Sequence, residues 1–296
     1  MSSFLYSIVI PHYNSSRLLL RMLDSIPQRD DIQVIVVDDG SDINDIREMK
    51  KCNHSNLEFV YLSNNSGAGY ARNVGLQYAK GKWVLVVDAD DIFAENAFDV
   101  FDLYKDYDID YLGFCIKCVD TDTLKPNGRK IVSDESVRLY LKNPTNKTLN
   151  FYKFKNTVCW NKMVLLDFIK RNNISFENSV VNNDVFYTFQ IGFYSVKFKV
   201  IHDELYYFTE NYNSITHIKR SLEREFLFFL QVQKRNGFYE KMGLNYYPFY
   251  RRTIFYLPHM LLKRGVKDTL SFFEMIRERK NEIDEARKAY LFLFDK

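Results

Sequence analysis

The first ninety residues contain four short, continuous runs of apolar residues, separated by longer polar segments. These runs, at residues 7–10, 33–37, 57–62 and 83–87, are rich in valine, isoleucine and aromatic residues. Continuous apolar runs of this length are typical of strands that are buried on both faces, as in a parallel sheet. The pattern therefore predicts a parallel sheet in this part of the chain.

Between these runs the apolar residues recur at the spacing of an amphipathic helix. One such stripe follows the N-cap candidates Asn14 and Ser15, and another precedes Gly81. Strands that alternate with helices indicate a doubly wound α/β layer structure. The apolar positions of the two stripes are Leu18, Leu19, Met22, Leu23 and Ile26, and then Ala71, Val74 and Tyr78.

Beyond residue 91 the pattern becomes less regular. We predict a helix near residues 95–104, a strand over 109–119 and a hairpin turn at Pro126, Asn127 and Gly128. The remaining segments are predicted to be mixed and partly helical at 134–195, extended or a strand pair at 197–208, and helical at 218–294.

The change to helix-compatible sequence places a domain boundary near residue 216. It divides the chain into an α/β domain over 1–216, with halves 1–110 and 111–216, and a helical region over 217–296. With 46% hydrophobic and 27% charged residues, six prolines and eleven glycines, the composition is that of a packed globular protein.

The net charge of +3 conceals an asymmetry between the two regions. Residues 217–296 hold 17 Lys and Arg against 10 Asp and Glu, whereas residues 1–216 hold 24 against 28. Two interpretations of the basic, aromatic C-terminal region remain open: contact with anionic lipid head groups, and an ordinary solvated helical surface. Nucleic acid is not among the expected partners.

Targeting signals and cysteines both favour a cytoplasmic protein. Residues 1–6 lack a basic n-region and a cleavage site, and the apolar stretch 253–262 is far shorter than the roughly 20 residues that span a bilayer. Four cysteines in a chain of this length do not form a disulfide framework. Cys115 and Cys118 lie three apart in a predicted strand and point to opposite faces, so a structural role is favoured over a zinc site.

Polar residues follow each of the four predicted strands. In an open α/β sheet, ligands bind beyond the carboxyl ends of the strands, and these four segments converge on one edge. The segments are Pro11-His12-Tyr13-Asn14, Asp38-Asp39-Gly40-Ser41, Asn64-Asn65-Ser66-Gly67 and Asp88-Ala89-Asp90-Asp91.

Several of these residues have a direct use in binding a nucleotide. Tyr13 can stack on a base, and Asp39 can accept a hydrogen bond from a base N–H or a ribose hydroxyl. Gly67 and Gly69 allow the backbone to approach a ligand closely, and Arg72 can offset the charge of a diphosphate.

The carboxylates Asp88, Asp90 and Asp91 are hard oxygen ligands that follow a buried strand. They suit a Mg²⁺ or Mn²⁺ that also binds phosphate oxygens. An isolated Asp-x-Asp is usually a solvated turn, but three carboxylates at a strand end favour a metal site.

Together these segments resemble family 2 glycosyltransferases with the GT-A fold. The matched segments are 7–14, 36–41, 65–67, 71–73 and 87–91. The resemblance implies a mixed, mainly parallel sheet flanked by helices, a nucleotide-sugar-binding half at 1–110 and an acceptor-side half at 111–216. The implied donor-binding residues are Pro11, Tyr13, Asn14, Asp39, Asn65, Gly67, Arg72, Asp88, Ala89 and Asp90, and the implied metal ligands are Asp88, Asp90 and Asp91.

The resemblance extends to the acceptor side. Residues 158–162 look like the family's tryptophan-asparagine-lysine segment, and 182–186 look like its glutamate-aspartate segment, in which the aspartate, here Asp184, is the general base. Residues 213–216 are similar to a loop that lies near the bound diphosphate. Asn183 departs from the family, since glutamate is usual there. The implied acceptor-side residues are Trp160, Asn161, Lys162 and Asn183.

Simpler structural roles compete with these assignments. Asp184 suits a helix N-cap, and Trp160 suits core packing. Arg72 can pair with a neighbouring carboxylate, and His12 can be a satisfied strand-end histidine.

The resemblance implies an inverting transfer of a sugar from a nucleotide-sugar, with UDP the expected nucleotide, to a hydroxyl of a glycan or lipid-linked oligosaccharide in cell-surface polysaccharide synthesis. Mn²⁺ or Mg²⁺ is the expected cofactor, and the expected location is the cytoplasm, with peripheral contact to the inner face of the membrane through the C-terminal region. The alternatives are a metal-dependent nucleotidyltransferase, which would need a glycine-rich basic loop after the first strand, and a non-catalytic sugar-nucleotide-binding protein.

Overall fold

The computed structural model describes residues 4–52, 54–210, 221–244 and 256–295. The chain divides into two compact units, Met1–Tyr212 and Asn213–Lys296, close to the boundary predicted near residue 216. The roles assigned to residues 1–110, 111–216 and 217–296 stay predictions. Residues 213–216, the loop expected near the diphosphate, lie outside the described residues.

The first unit is built on one mixed sheet, in the order β3-β2-β1-β4-β7-β6-β8-β5. Strands β1 to β4 pair in parallel, β7 is antiparallel to β4 and β6, β8 is parallel to β6, and β5 is antiparallel to β8. This topology confirms the predicted mixed, mainly parallel sheet. The strands are β1 Tyr6–His12, β2 Ile32–Asp38, β3 Leu57–Tyr61, β4 Trp83–Val86, β5 Ile92–Phe93, β6 Tyr111–Asp120, β7 Lys162–Leu165 and β8 Phe198–Glu210.

Helices connect the strands. Helix α2 was not predicted, because its sequence has little apolar periodicity. It begins instead with a local signal, since the Asp42 side chain accepts from the backbone N–H groups of Asn44 and Asp45. The helices of this unit are α1 Ser16–Asp24, α2 Ile43–Met49, α3 Ala68–Tyr78, α4 Ala97–Tyr104, α5 Val132–Lys142, α6 Asn146–Lys155, α7 Leu166–Arg171 and α8 Asp184–Tyr194.

The register of the central strands brings their carboxyl ends level. His12 at the end of β1 lies opposite Asp38 at the end of β2, which in turn lies opposite Tyr61 of β3. Strands β2 and β4 are buried along their whole length, as their continuous apolar runs predict. The polar residues that follow the strands therefore meet at one edge of the sheet.

Of the two alternatives for residues 197–208, the extended segment is confirmed, since Phe198–Glu210 form the single strand β8 of 13 residues, and the strand pair is wrong. The hairpin turn predicted at Pro126, Asn127 and Gly128 is wrong in position. The chain reverses before Pro126, because the Asp120 carboxylate accepts from the backbone N–H groups of Asp122 and Thr123 and closes the turn there. Pro126 lies on the returning segment, in a bridge to Val119.

The second unit is helical over its described residues, which confirms the prediction for this region. It contains α9 Leu222–Lys241, α10 Tyr256–Glu278, α11 Lys280–Lys288 and a 3-10 turn at Leu291–Phe294. Gly265 interrupts α10 with a φ of 79°. No described helix is long and apolar enough to cross a membrane.

Candidate active site

The segment that follows β1 is held against the segment that follows β2. The backbone N–H of Asn14 donates to Ser41 Oγ over 2.8 Å, and the Asn14 side chain accepts from the backbone N–H of Asp42 over 2.9 Å. These bonds stabilise Asn14 at a φ of 46°. Asn14 therefore shapes the loop, while the neighbouring Tyr13 is 49% exposed and leaves its ring open for stacking.

His12 is buried between two carboxylates. Its Nδ1 lies 2.9 Å from Asp38 Oδ1, and its Nε2 lies 3.2 Å from Asp45 Oδ2. This agrees with the interpretation of His12 as a satisfied strand-end histidine. It ties β1 to β2 and α2 beneath the loop that carries Tyr13.

Asp39 organises the loop that follows β3. Its two carboxylate oxygens accept from the backbone N–H groups of Ser66, over 2.8 Å, and Gly67, over 2.7 Å. Gly67 has a φ of 90°, which suits glycine, and it is the N-cap of α3. Asp39 is buried, and its bonds position the segment with the exposed Asn65 and the half-buried Gly67. Its contact with a nucleoside stays a prediction.

Gly69 has a different role from the one predicted. A Cβ at this position would lie 2.3 Å from the carbonyl oxygen of Glu177 and 2.9 Å from Asn183 Cβ. The absent side chain therefore admits the protein's own backbone, which leads into α8, and not a ligand.

Arg72 joins the end of β4 to the start of α8. One guanidinium nitrogen lies 2.5 Å from Asp88 Oδ1, and another donates to Asn183 Oδ1 over 2.6 Å. Its side chain is 8% exposed, and the guanidinium lies over the Phe176 ring at 5.4 Å. The interpretation that Arg72 pairs with a carboxylate is therefore what the structure shows, and its contact with a diphosphate stays a prediction.

The three carboxylates after β4 gather as predicted, with Asp88, Asp90 and Asp91 offering oxygen atoms within 4.8 Å of one another. The pKa of Asp90 is raised to about 6, first because nearby protein atoms displace part of the water around its carboxylate and then because of the neighbouring Asp88. Burial, with Asp90 and Asp88, also raises the pKa of Asp91. Such mutual repulsion is the electrostatic signature of a site that a cation would stabilise, and three carboxylates are hard ligands that fit Mg²⁺ or Mn²⁺.

The three carboxylates are not equivalent. Asp91 is fully buried, and its Oδ1 accepts from the backbone N–H of Thr209 over 2.7 Å. Asp91 therefore anchors the loop to β8. Asp88 is half-buried and Asp90 is exposed, so these two are the more accessible ligands. The small side chain of Ala89 is buried between them.

Arg21 is a site residue that the sequence analysis missed, because it lies within α1 and outside any motif. Its guanidinium donates to the backbone carbonyl oxygen of Asp90 over 2.6 Å and also to the carbonyl oxygen of Thr121. Thr209 Oγ1 donates to the same Asp90 carbonyl over 2.6 Å. Arg21 thus holds the carboxylate loop against the ends of β6 and β8.

Asp184 is the first residue of α8, and Asn183 is the N-cap, so the alternative of Asp184 as the N-cap is wrong. Burial raises the pKa of Asp184 to about 6; Arg72 and Lys162 oppose this rise and Asp88 adds to it. A carboxyl group with a raised pKa beside other charged groups in a cleft is a candidate general base.

The acceptor-side lysine is a buried group. Lys162 is 4% exposed, and its Nζ donates over 2.8 Å both to the Val158 carbonyl oxygen and to Asn161 Oδ1. Burial lowers its pKa to about 7. Asn161 is also fully buried, so Lys162 and Asn161 stabilise each other beneath the acceptor side.

Trp160 packs against other aromatic side chains, in agreement with the alternative of core packing. Its ring stacks on Tyr206 at 5.2 Å and on Phe208 at 5.5 Å, both with an interplanar angle of 15°. The Tyr206 hydroxyl accepts from the backbone N–H of Asp88 over 3.0 Å. Trp160 therefore supports the carboxylate loop through Tyr206.

The two cysteines of β6 serve as buried core residues. Cys115 and Cys118 are both free and buried in β6, in agreement with a structural role. Burial raises the pKa of Cys115 to about 12 and that of Cys118 to about 11. Neither thiol is a thiolate at neutral pH, and no described cysteine belongs to a cluster of metal ligands.

Residues 7–171, more than half of the chain, match the sequence profile described as Glycosyl transferase family 2. An uncharacterized glycosyltransferase of Mycoplasma genitalium is 37% identical over 109 residues, which are 33% of this chain and 36% of that protein. The poly(ribitol-phosphate) beta-N-acetylglucosaminyltransferase TarS of Staphylococcus aureus is 28% identical over 211 residues, 69% of this chain and 35% of TarS. The match thus spans about a third of the length of these relatives.

Solved structures share the fold. TarS 1–349 of S. aureus in complex with UDP-GlcNAc has a TM-score of 0.61 at 24% identity, and the match covers 78% of this chain and 65% of that one. The mannosyltransferase PcManGT of Pyrobaculum calidifontis, in complex with GDP-Man and Mn²⁺, has a TM-score of 0.53 at 16% identity, covering 93% and 75%. The profile match over more than half of the chain, together with the shared fold, leads to one conclusion: this chain belongs to glycosyltransferase family 2.

Proposed function

We propose that the chain is an inverting glycosyltransferase that moves a sugar from a UDP-linked donor to a hydroxyl group of a glycan or lipid-linked acceptor in cell-surface polysaccharide synthesis. The observation that carries this proposal is the position of Arg72, which contacts both Asp88 and Asn183. It brings the carboxylates that follow β4 beside Asp184 at the start of α8. The groups for stabilising the leaving group and for removing the proton therefore lie around one positively charged side chain, the Arg72 guanidinium.

The donor binds along the ends of β1 to β4. The exposed Tyr13 ring offers a stacking surface for the base, and the Gly67 loop is held open by Asp39. Arg72, which contacts Asp88, would be the cationic side chain that binds the diphosphate. UDP is supported by TarS, a relative whose structure is in complex with UDP-GlcNAc.

Asp88 and Asp90 would hold a divalent cation, with Asp91 anchoring their loop. When bound, the cation would neutralise charge on the departing diphosphate. PcManGT, which shares the fold, is in complex with Mn²⁺. Arg21 and Tyr206 keep the loop in place, since they bond to the backbone of Asp90 and Asp88.

Asp184 acts as the general base. With a pKa of about 6 it is mostly ionised at neutral pH and basic enough to accept a proton. It takes the proton of the acceptor hydroxyl as the oxygen attacks the anomeric carbon from the side opposite the diphosphate, and the configuration inverts. Arg72 stabilises the negative charge that develops on the leaving group.

The second unit supports peripheral contact with an anionic membrane surface from the cytoplasmic side. In α10 the side chains of Leu262, Val266 and Leu270 are 88%, 66% and 67% exposed, and Lys263 and Lys267 lie between them in sequence and are also exposed. Apolar and cationic side chains together favour an anionic lipid surface. Co-sedimentation with phosphatidylglycerol vesicles but not with phosphatidylcholine vesicles would support this contact. Binding to neither kind of vesicle, or equal binding to both, would contradict it.

One assay separates the proposed function from its alternatives. The protein is incubated with Mn²⁺ and a panel of UDP-sugars, and release of UDP, sugar transfer and pyrophosphate exchange are measured. We expect UDP release that disappears in EDTA and returns with Mn²⁺ or Mg²⁺. Pyrophosphate exchange would indicate a nucleotidyltransferase instead. Donor binding without any UDP release, with or without glycan acceptors, would indicate a non-catalytic binding protein.

A further inference from the structure

A cavity of about 840 Å³ opens beside β6, away from the carboxylate loop. Its walls come from β6, from the segment 126–131 and from α5, with Phe151 of α6 closing one side. This volume lies within the range of roughly 300–1,000 Å³ that is typical of small-molecule sites. No residue assigned to the donor, the cation or the base lines it.

The floor of the cavity is apolar and its rim is cationic. Ile116 is buried and Ile131 and Phe151 are half-buried, and they supply the apolar floor, whereas the exposed Lys130 and Lys142 stand at the edge. Neither lysine forms an ion pair with another residue in the described part of the chain. A cavity of this kind matches a ligand with an apolar body and an anionic end.

The acidic residues of the wall cancel this charge only in part. Arg138 bonds to Asp134 over 2.6 Å and to Glu204 over 2.7 Å. Asp134 also accepts from the backbone N–H of Ile116 over 3.0 Å. Arg138 leaves one of these two negative charges unbalanced, and Glu135 adds another. Arg129 pairs with Glu210, which lies outside the lining. Lys117, Lys130 and Lys142 also line the cavity, so the lining carries one positive charge in excess.

The cavity is joined to the candidate active site by a stack of aromatic rings. Arg129, on the rim, lies 5.5 Å from the ring centroid of Phe208. Phe208 stacks on Trp160, and Trp160 stacks on Tyr206, whose hydroxyl accepts from the backbone N–H of Asp88. Three aromatic side chains, those of Phe208, Trp160 and Tyr206, therefore lie between the rim of the cavity at Arg129 and the carboxylate loop.

We propose that this cavity is an acceptor subsite for a phosphate group joined to an apolar chain, with the phosphate at Lys130 and Lys142 and the chain on the floor. The assignment of the ligand as acceptor rests on the proposed function. Lysine ammonium groups bind phosphate as point charges, and the apolar floor adds affinity for the chain in proportion to the area it covers. The sugar-accepting end of such a ligand would extend toward Asp184.

The test is direct binding of geranyl phosphate to the whole chain without any donor, by isothermal titration calorimetry at low salt. Geraniol and glycerol 3-phosphate are the matched probes that lack the phosphate or the chain. We expect geranyl phosphate to bind at least tenfold more tightly than either. The double variant Lys130→Glu, Lys142→Glu should weaken its binding at least tenfold, and Leu139→Trp, which fills the cavity, should do the same.

The control is the double variant Lys80→Glu, Lys170→Glu, which makes the same charge change at two exposed positions outside the cavity and should leave binding unchanged. UDP binding and the melting temperature are measured for every variant to show that the fold is intact. Equal binding of geraniol overturns the proposal. So does equal binding of glycerol 3-phosphate, the probe that resembles a unit of a polyol-phosphate polymer. Unchanged binding by the Lys130→Glu, Lys142→Glu variant also overturns it.

Failure of this subsite is distinguishable from failure of the proposed function. If UDP release from a UDP-sugar persists while geranyl phosphate does not bind, the transferase remains and the cavity has no role as a phosphate subsite. If geranyl phosphate binds as expected but no UDP-sugar is hydrolysed or used, the cavity is a binding site and the transferase assignment is wrong.

Discussion

The two halves of the first unit position their side chains in different ways. In the half predicted to bind the donor, residues 1–110, β1 to β4 run parallel with level ends, and the site residues follow strands except for Arg21 and Arg72, which lie on helices. In the acceptor-side half, β7 is antiparallel, and the register of β8 shifts against β6 at Phe114, Cys115 and Ile116. There the site residues come from the start of α8 and the segment before β7. The donor half relies on a repeating backbone geometry, and the acceptor half relies on individual contacts.

Helix α3 is where the two halves meet. Gly69, Arg72 and Asn73 lie on one face of this helix, three and four residues apart. Gly69 admits the backbone at Glu177, and Arg72 bonds to Asn183. The Asn73 side chain both donates to and accepts from the backbone of Phe176, over 2.9 and 2.8 Å. One face of helix α3 thus determines where Asp184 lies.

The largest effect should follow from removal of the base. We expect Asp184→Ala to lower kcat by about 10²–10⁴-fold, the usual contribution of a general base, with UDP binding nearly unchanged. UDP release and calorimetric UDP binding measure the two quantities. Asp122→Asn, on an exposed turn, is the control. Native turnover by Asp184→Ala would show that another group takes the proton.

The next largest effect should follow from separating the halves at Arg72. Arg72→Lys keeps the positive charge but cannot contact Asp88 and Asn183 together, because an ammonium is a single point charge. We expect kcat/KM to fall by on the order of 10²-fold through loss of leaving-group stabilisation. Added guanidine should partly restore activity to Arg72→Ala, which has the space for it. Full activity of Arg72→Lys would show that simultaneous contact of residue 72 with Asp88 and Asn183 is not required.

The acceptor half should also impose a pH dependence. Asp184 must be ionised to act, and its pKa is raised to about 6, so protonation begins at a higher pH than for an ordinary aspartate. We expect kcat/KM to be level above pH 7 and to fall about tenfold per pH unit below 6. A profile that stays level down to pH 5 would place the base elsewhere or give it an ordinary pKa.

The smallest effect should follow from Asn73→Ala, which removes the reciprocal bonds to Phe176. Two buried backbone groups lose their partner, so we expect the free energy of unfolding to fall by about 1–3 kcal/mol. Urea unfolding measures this change, and Asn44→Ala in α2 is the matched surface control. The loss should be accompanied by a several-fold fall in kcat, because the segment before Asp184 is no longer fixed. If the two variants were equally stable, the hydrogen bonds of Asn73 to the Phe176 backbone would not stabilise the fold.

Much of the donor half was predictable from local sequence. The apolar runs of β1 to β4 predict buried parallel strands, and the polar residues at 11–14, 38–41 and 88–91 mark their ends. The gathering of Asp88, Asp90 and Asp91 follows from their adjacency in sequence. Helix α2 was not predicted, because a side-chain cap at Asp42, and not an apolar stripe, specifies where it begins.

The roles of single side chains were less predictable. Asp39 bonds to its own protein's backbone, Gly69 makes room for Glu177, and Trp160 packs on Tyr206 and Phe208. A residue type shows what a side chain is able to do, but its partner depends on segments far away in the chain. Arg21 donates to the carbonyl oxygen of Asp90, 69 positions away in the chain, and no local sequence pattern predicts that bond.

By itself the amino-acid sequence determined the strands, their polar ends and the resemblance to family 2, because these depend on periodicity and on residues that are close together in the chain. Only the tertiary structure decided that Arg72 stands between Asp88 and Asn183, 111 residues from the latter, and that a cavity with a cationic rim opens beside β6. Contacts of this kind arise from the packing of whole helices and strands, whose relative positions depend on many side chains at once.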